Sequence, residues 1–375
     1  MSNHELERLQ STLAQARYPR DVFGTLTGSR TEQIETARRI FRQMAKLAHP
    51  DIHAGSEGFA TADQAFKRLL HFWELAQQQL ENGTYASPDV FEPFVLRMPD
   101  HVYSIEHPLA QGDICQLYLG SYTMTGRKEP AIFKFPLHPE DNDLLANEAR
   151  ILSHLSLGYD YINLRHFVSQ LLDTFMYQEE ASGAVRQLNV LTATQGLYSL
   201  QEVKEAYPLG IDPKDMAWIW RRLLVALGFA HRNNVIHGAV LPTHVLLHPE
   251  QHGLVLIDWS YAVLDVSNTG ERISAISIPY RDWYPAEVPA REMPTPALDI
   301  AMGARCMIDI LGGDPHTGAV PDTVPWQIRD YLKACILPHP MQRPQEVDSL
   351  LLDFDTLIER LWGPRTFHTF RMPER

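Results

Sequence analysis

Residues 235–247 read VIHGAVLPTHVLL, and residues 256–260 read LIDWS. The first stretch is an apolar run, then His237, a short turn that contains Pro242, and a second apolar run. Pro249 and Gly253 break any helix that would follow, so the apolar runs VLL and LVLI on either side of them predict a β-hairpin with Asp258 directly after it. The same breaks argue against a helical zinc site, although histidines recur at every fourth position: His244, His248 and His252.

The composition of the 375-residue chain is that of a globular protein, with 45% hydrophobic residues and enough length for two domains. A net charge of −13 argues against a nucleic-acid partner, because no overall positive field would attract phosphates. The three cysteines lie far apart and form neither a disulfide framework nor a zinc motif. The start MSNHELERLQ is polar, and no apolar run approaches the roughly 18 residues of a membrane span. We therefore expect a cytoplasmic protein without a membrane partner.

Residues 1–85 are predicted to be mostly helical. The stretch TEQIETARRIFRQMAKLA (31–48) carries apolar residues at helical spacing, and so does ATADQAFKRLLHFWELAQQQLENG (60–83). Pro50 disfavours helix for the residue before it, so it ends the first of these patterns. The sequence therefore predicts two antiparallel helices joined by an exposed turn, after a short helical extension at the N-terminus.

The predicted turn carries His49-Pro50-Asp51, and a basic stripe runs along the preceding helix at every fourth position: Arg38, Arg42 and Lys46. Residues 18–82 resemble the J-domain of DnaJ-type co-chaperones in both respects. The resemblance implies that the His-Pro-Asp turn and the stripe bind a DnaK-type heat-shock chaperone and stimulate its ATP hydrolysis. A rigid proline would hold the neighbouring side chains outward, and the stripe would steer toward an acidic surface. The alternative is an ordinary turn beside a solvated charged face.

Residues 86–102 are Pro-rich and lack helical periodicity, so they are predicted to form a linker. Short alternating apolar runs follow, interrupted by one helical stretch, EDNDLLANEARILSHL (140–155), and from residue 200 onward helical patterns dominate. Strands followed by helices within one region predict a two-lobed α+β domain over residues 103–362, with a C-terminal tail at 363–375.

Residues 109–343 resemble the protein-kinase fold. AIFKFP resembles the strand that carries the phosphate-binding lysine, which would be Lys134, and NEARIL supplies Glu148 as its partner. LIDWS resembles the metal-binding segment and supplies Asp258. The resemblance implies that these residues could hold ATP, with Gly112 beneath the phosphates and one magnesium ion on Asp258. The alternative is a structural ion pair that persists because breaking it would leave a buried charge unpaired.

Three further segments resemble the structural anchors of that fold. YPAEV supplies Glu287, LDIAMG supplies Asp299, and PHPMQRP supplies Arg343. The resemblance implies an ion pair between Glu287 and Arg343 and a buried helix around Asp299.

The sequence departs from the kinase pattern at the positions that carry the chemistry. Ala239 stands where the catalytic base should be, and His244 stands where an asparagine should bind metal. In the loop AQGDIC (110–115) only the middle glycine, Gly112, remains, and Asp113 adds a negative charge next to it. Loss of a general base is expected to slow phosphoryl transfer about 10²–10⁴-fold. The domain is therefore expected to be a pseudokinase.

Taken together, the patterns predict a multidomain protein, a small all-α J-domain followed by a two-lobed α+β protein-kinase-like domain. The expected function is that of a co-chaperone whose kinase-like domain binds an unknown client or partner protein, with gating by ATP and magnesium as an option. The alternative is an active transferase of the same fold with non-standard catalytic residues, for which Asp265 is one displaced carboxylate.

Overall fold

The computed structural model describes residues 6, 8–10, 12–13, 16, 18–53, 59–82, 85, 91, 93–98, 101–124, 127–179, 183–193, 196–367 and 369–373. The side chains of Pro50, Asp51, Phe59, Ala60, Asn82 and Met124 lie outside this description. The chain combines helices and strands in two compact units, Met1–Phe91 and Glu92–Arg375. None of the described helices combines the length and apolar character needed to cross a membrane.

The regular structure described in the first unit is helical. A short helix α1 (Pro19–Phe23) precedes α2 (Arg30–Ala48), a 3-10 turn (Pro50–His53) and α3 (Phe59–Asn82). Ser29 caps the start of helix α2: its backbone N–H donates to the Glu32 carboxylate at 2.7 Å while its hydroxyl accepts from the Glu32 backbone. This reciprocal cap satisfies two backbone donors at the start of the helix.

Helices α2 and α3 pack as an antiparallel pair. Near the middle of the pair the ring of Phe41 stacks on Trp73 with 4.9 Å between centroids, and at the turn His49 meets Phe66 edge-on at 5.2 Å. Phe23 of α1 contacts the same Trp73 at 5.9 Å. Small side chains let the two helix backbones approach, and the buried residues of the pair include Ala37, Ala48, Ala62, Ala65, Leu69, Phe72, Ala76 and Leu80.

The second unit begins with a six-stranded antiparallel sheet in the order β1-β2-β3-β4-β6-β5. Its strands are β1 (Phe94–Arg97), β2 (Val102–Gln111), β3 (Cys115–Met124), β4 (Arg127–Pro136), β5 (Leu171–Gln178) and β6 (Val185–Thr192). Helix α4 (Asn142–Ser156) follows β4 and buries one face that includes Leu145, Glu148 and Leu152. Strand β1 lies inside the segment that we expected to be a linker.

Strand β2 changes register twice against β3, between Ile105 and His107 and again between Pro108 and Ala110. Next to the first shift, Gly120 of β3 lies so close to β2 that an added Cβ would stand 2.0 Å from the carbonyl oxygen of Ser104. Only glycine fits this crossing of the two backbones.

The remainder of the second unit is mainly helical. Its helices are α5 (Tyr161–Leu164), α6 (Leu200–Ala206), α7 (Pro213–Arg232), α8 (Val266–Thr269), α9 (Pro296–Ile310), α10 (Trp326–Cys335) and α11 (Val347–Trp362). Its short strands form an antiparallel sheet of β7 (Tyr198–Ser199), β9 (Val245–His248) and β10 (Gly253–Leu256), and a pair of β8 (Val235–Ile236) with β11 (Val263–Leu264). The core between them is large and apolar, with Trp220, Phe229, Trp259 and Phe354 fully buried.

All three cysteines belong to the second unit and are free and buried. Burial raises the pKa of the Cys115 and Cys335 thiols to about 12, and it also raises the pKa of Cys306 well above its usual value.

Candidate functional site

The basic stripe of the first unit is exposed. Arg38, Arg42 and Lys46 lie on the outer face of α2, and Arg39 and Gln43 lie beside them, while Ala37 on the other side is buried. Four cations therefore project from one helix face in a chain whose net charge is −13. This concentration of charge is suited to an acidic partner surface.

The His-Pro-Asp turn lies at the C-terminal end of the same helix. His49 is the residue after α2, with an extended backbone (φ −64°, ψ 122°), and Pro50 and Asp51 begin the 3-10 turn. The His49 ring is half-buried against Phe66 and is not turned fully outward as the sequence suggested. The expected role of the Pro50 and Asp51 side chains lies outside the described residues.

In the second unit, Lys134 of β4 lies at the centre of a closed cluster of charges. Its ammonium donates to Glu148 Oε1 at 2.9 Å, to Asp258 Oδ1 at 2.8 Å and to Ser260 Oγ at 3.1 Å. The side chains of Lys134 and Glu148 are 4% and 0% exposed. Burial alone would lower the pKa of Lys134, but Asp258 and Glu148 outweigh it and raise that pKa well above its usual value.

Glu148 is held from two further directions. Asn189 of β6 lies opposite Lys134 in the sheet register and donates to Glu148 Oε2 at 3.0 Å. The backbone N–H of Trp259 donates to Glu148 Oε1 at 3.3 Å. Helix α4 is thereby tied both to the sheet and to the segment that carries Asp258.

Asp258 stands just after β10 with a left-handed backbone (φ 62°), a conformation that aspartate tolerates better than most residues. One carboxylate oxygen receives the Lys134 ammonium, and the other lies 3.3 Å from His244 Nε2. Burial alone would raise the pKa of Asp258, but Lys134 and His244 hold it well below its usual range. The carboxylate is therefore charged and occupied on both oxygens.

The loop that contains Ala239 is organised by Asp299 of α9. This fully buried carboxylate accepts the backbone N–H groups of His237 and Gly238, both at 2.8 Å, and lies 2.8 Å from His231 Nε2. Gly238 has φ 74°, and a Cβ there would stand 2.5 Å from the Ile273 side chain. The loop therefore needs both the carboxylate and the glycine to keep its shape.

His237 and His244 share this loop. His237 Nε2 donates to the Ile257 carbonyl at 3.0 Å, and burial lowers the pKa of its imidazole to about 4. His244 Nδ1 contacts the carbonyl oxygen of Ala239 at 2.8 Å. The loop thus presents an alanine backbone and two engaged imidazoles at the place where the kinase resemblance would require a carboxylate.

Glu287 and Arg343 form a buried bidentate pair. Arg343 Nη1 donates to one oxygen of Glu287, Nη2 donates to the other at 3.3 Å, and Nη2 also donates to the Pro338 carbonyl at 2.9 Å. Both side chains are almost fully buried. This geometry is that of a structural tether between two loops.

The segment that joins β2 to β3 is hydrogen-bonded to the residues that follow Asp258. Its Gly112 donates a backbone hydrogen bond to the Cys115 carbonyl at 2.8 Å, and a Cβ there would meet nothing closer than 3.6 Å. Asp113 accepts a hydrogen bond from the hydroxyl of the buried Tyr261 at 3.1 Å. This hydrogen bond joins the β2–β3 connection to the residues that follow Asp258.

The groups that would hold a magnesium-bound nucleotide are engaged with one another. Each of the three ammonium protons of Lys134 already has an acceptor, and both oxygens of Asp258 are engaged. Lys134 is one cation against Asp113, Glu148 and Asp258, so these side chains supply no surplus positive charge and a phosphate group would depend on the charge of its magnesium ion. Across the described part of the chain, no three His, Cys, Asp or Glu side chains converge to hold a metal ion, and this includes the histidines near residue 248.

Asp265, the displaced carboxylate of the transferase alternative, starts α8 with a left-handed backbone (φ 52°). Both of its oxygens accept from Asn268 Nδ2 at 2.9 Å, so the carboxylate is engaged within its own short helix.

Sequence reasoning missed three members of the cluster. Ser260 was detectable, since it lies two residues after Asp258 in LIDWS. Asn189 and Tyr261 gave no local signal, because their roles depend on the register of β6 and on the position of the β2–β3 connection. No known protein-family model matches the chain.

Proposed function

We propose that the protein is a J-domain co-chaperone whose second unit is a kinase-like binding module without phosphoryl-transfer activity. The observation that carries the first part is the antiparallel pair α2–α3, with His49-Pro50-Asp51 at its turn and four exposed cations on the adjoining helix face. The turn and the stripe would bind one state of a DnaK-type chaperone and thereby accelerate its ATP hydrolysis.

The second part is supported by the closed cluster around Lys134. Ala239 provides no base, and His244 occupies one oxygen of the carboxylate that a metal would need. The charges instead hold helix α4, the sheet and the Asp258 segment together. The second unit would choose a client protein, and its presence in the same chain raises the effective concentration of the chaperone at that client.

The proposal is tested by the steady-state ATPase rate of a DnaK-type chaperone with the full chain. We expect His49→Gln to reduce the stimulation about tenfold, within the 5–150-fold range typical of coupling between sites. Reversing the charge at Arg38 and Arg42 should weaken the stimulation of the ATPase rate. The stimulation that remains should also vary less with salt concentration, because fewer attractive surface charges are left to be screened. Lys67→Glu is the matched control, because it reverses an exposed cation on α3 whose pair with Asp63 lies on the surface.

A separate control addresses packing, since His49 contacts Phe66. Phe66→Leu alters this contact and leaves the histidine in place, so it should retain most of the stimulation. Absence of stimulation by the wild-type chain, or equal stimulation by His49→Gln, would refute the co-chaperone assignment.

A further inference from the structure

A cavity of about 250 Å³ lies where the start of α7 meets the end of α11 and the segment that follows α11. Aromatic side chains line it, among them Trp218, Trp362 and Phe367. Its volume is below the roughly 300–1,000 Å³ of small-molecule pockets. The cavity is therefore suited to a single apolar side chain of a larger ligand.

The aromatic wall of the cavity is fixed before any ligand arrives. The Trp218 ring lies parallel to that of His252, with 4.1 Å between centroids and 5° between planes. Phe370 meets Trp218 edge-on at 6.3 Å, and the His252 ring contacts Phe367 at 4.4 Å. A preformed wall of this kind reduces the ordering that binding would otherwise require.

Four cations surround the cavity, and one carboxylate balances two of them. Arg221 Nη2 and Arg365 Nη2 contact the same Asp355 carboxylate, at 3.0 and 2.5 Å. Lys214 Nζ lies over the Trp362 ring and Arg222 Cζ over the Phe167 ring, each 5.9 Å from the ring centroid. Within the described part of the chain, neither Lys214 nor Arg222 has a carboxylate at ion-pair distance.

Arg222 is half-buried, and burial together with the neighbouring Arg221 lowers its pKa. An anion beside the guanidinium would relieve this unfavourable environment. Because Lys214 and Arg222 lie on two different rings, they act as two separate points of positive charge. One small anion is therefore a poor match for the pair.

The spacing of the two cations along α7 indicates how far apart the negative charges of a ligand should lie. Lys214, Trp218 and Arg222 recur at every fourth position of α7, so they share one helix face, and the Cα atoms of Lys214 and Arg222 lie about 12 Å apart along the axis. In an extended peptide, residues four apart lie about 13 Å apart on the same side, with the residue midway between them also on that side. Two acidic residues with an apolar residue between them would match the helix face.

We propose that this face of the second unit binds an extended acidic segment of a partner protein with the pattern acidic-x-apolar-x-acidic. The carboxylates pair with Lys214 and Arg222, and the apolar side chain enters the cavity beside Trp218. The inference rests on the proposed role of the second unit as a binding module, and it names the chemistry of the partner.

The test is fluorescence polarisation of the full chain with a labelled peptide centred on Glu-Ser-Phe-Ser-Glu, without any chaperone present. We expect Arg222→Gln and Lys214→Gln each to weaken binding about tenfold, the scale of a paired interfacial charge. Arg272→Gln and Lys333→Gln, which remove exposed cations elsewhere in the second unit, should leave binding unchanged. Binding should also weaken when both glutamates of the peptide become glutamine, or when they are made adjacent.

The peptide-side changes leave the protein intact, so a folding defect cannot imitate their effect. Equal binding of the glutamine peptide or of the adjacent-glutamate peptide would overturn the proposal. Displacement of the peptide by inorganic phosphate, with no preference for the central phenylalanine, would also overturn it in favour of a simple anion site. Because the chaperone is absent, failure here leaves the ATPase test of the co-chaperone assignment unaffected.

Discussion

The substitution Lys134→Met removes the positive charge from the closed cluster and nearly preserves the side-chain volume. Glu148 and Asp258 then remain buried with two negative charges and no ammonium between them. Removing one partner of a buried ion pair costs about 3–5 kcal/mol, because the charge left behind has lost its compensation. We expect a loss of stability at the lower end of this range, since Asn189 and the Trp259 backbone still donate to Glu148.

A triple variant separates the charge from the packing. Lys134→Met combined with Glu148→Gln and Asp258→Asn leaves no buried charge in the cluster and keeps nearly the same side-chain shapes. Buried ion pairs replaced as a unit by neutral groups are often tolerated. We expect the triple variant to recover most of the stability, to within about 1 kcal/mol of the wild type.

The stability of these variants can be measured by urea unfolding followed by tryptophan fluorescence. The signal reports mainly on the second unit, because six of the seven tryptophans lie beyond residue 91. With a slope of about 1–3 kcal/mol per molar urea, a loss of about 3 kcal/mol lowers the midpoint by about 1 M or more. Lys128→Met on the same strand is the control, since its pair with Glu106 is exposed and should contribute little. A loss below about 1 kcal/mol for Lys134→Met, or an equal loss for the triple variant, would refute the structural role of the cluster.

Three further outcomes are expected. Millimolar ATP with magnesium should not raise the melting temperature of the full chain, because the ammonium of Lys134 has no proton left for a phosphate; a rise that Lys134→Ala abolishes would contradict this. Stability should fall as the pH drops from about 6.5 to about 4, since the pKa of His237 is 6.5 when unfolded and about 4 when folded, and the unfolded chain takes up the proton first. This contribution is at most about 3 kcal/mol, and a pH series of melting curves should show a smaller loss for His237→Gln, whose side chain takes up no proton. Gly120→Ala should cost about 1–3 kcal/mol in urea unfolding, because its Cβ would meet the Ser104 carbonyl, whereas Gly112→Ala should be nearly neutral.

Hydrophobic periodicity was sufficient to predict the two long helices of the first unit. The stretches 31–48 and 60–83 correspond to Arg30–Ala48 and Phe59–Asn82, with boundaries shifted by one residue. The apolar runs on either side of Pro249 and Gly253 form the predicted hairpin. These elements are determined by local pattern, because each buries one face that is continuous in the sequence.

Strand β1 could not be predicted in this way. Its four residues lie between prolines at positions 93 and 99, which indicate a linker, and the strand exists because Phe94 and Arg97 pair with Ile105 and Val102 of β2. Whether such a segment forms a strand depends on the partner strand as well as on its own sequence, so the local pattern alone does not predict it. The same holds for the site: Lys134, Glu148 and Asp258 could be proposed from sequence, whereas Asn189 depends on sheet register.

The enclosure of the three native thiols has a practical consequence. Alkylating reagents attack thiolates, and Cys115, Cys306 and Cys335 are both shielded and, with their raised pKa values, almost fully protonated at neutral pH. A cysteine introduced at an exposed position would therefore be the preferred target of a maleimide dye, without prior removal of the native ones. The wild-type protein can therefore be labelled site-specifically, and the distance between two introduced dyes could be measured before and after a DnaK-type chaperone or the acidic peptide is added.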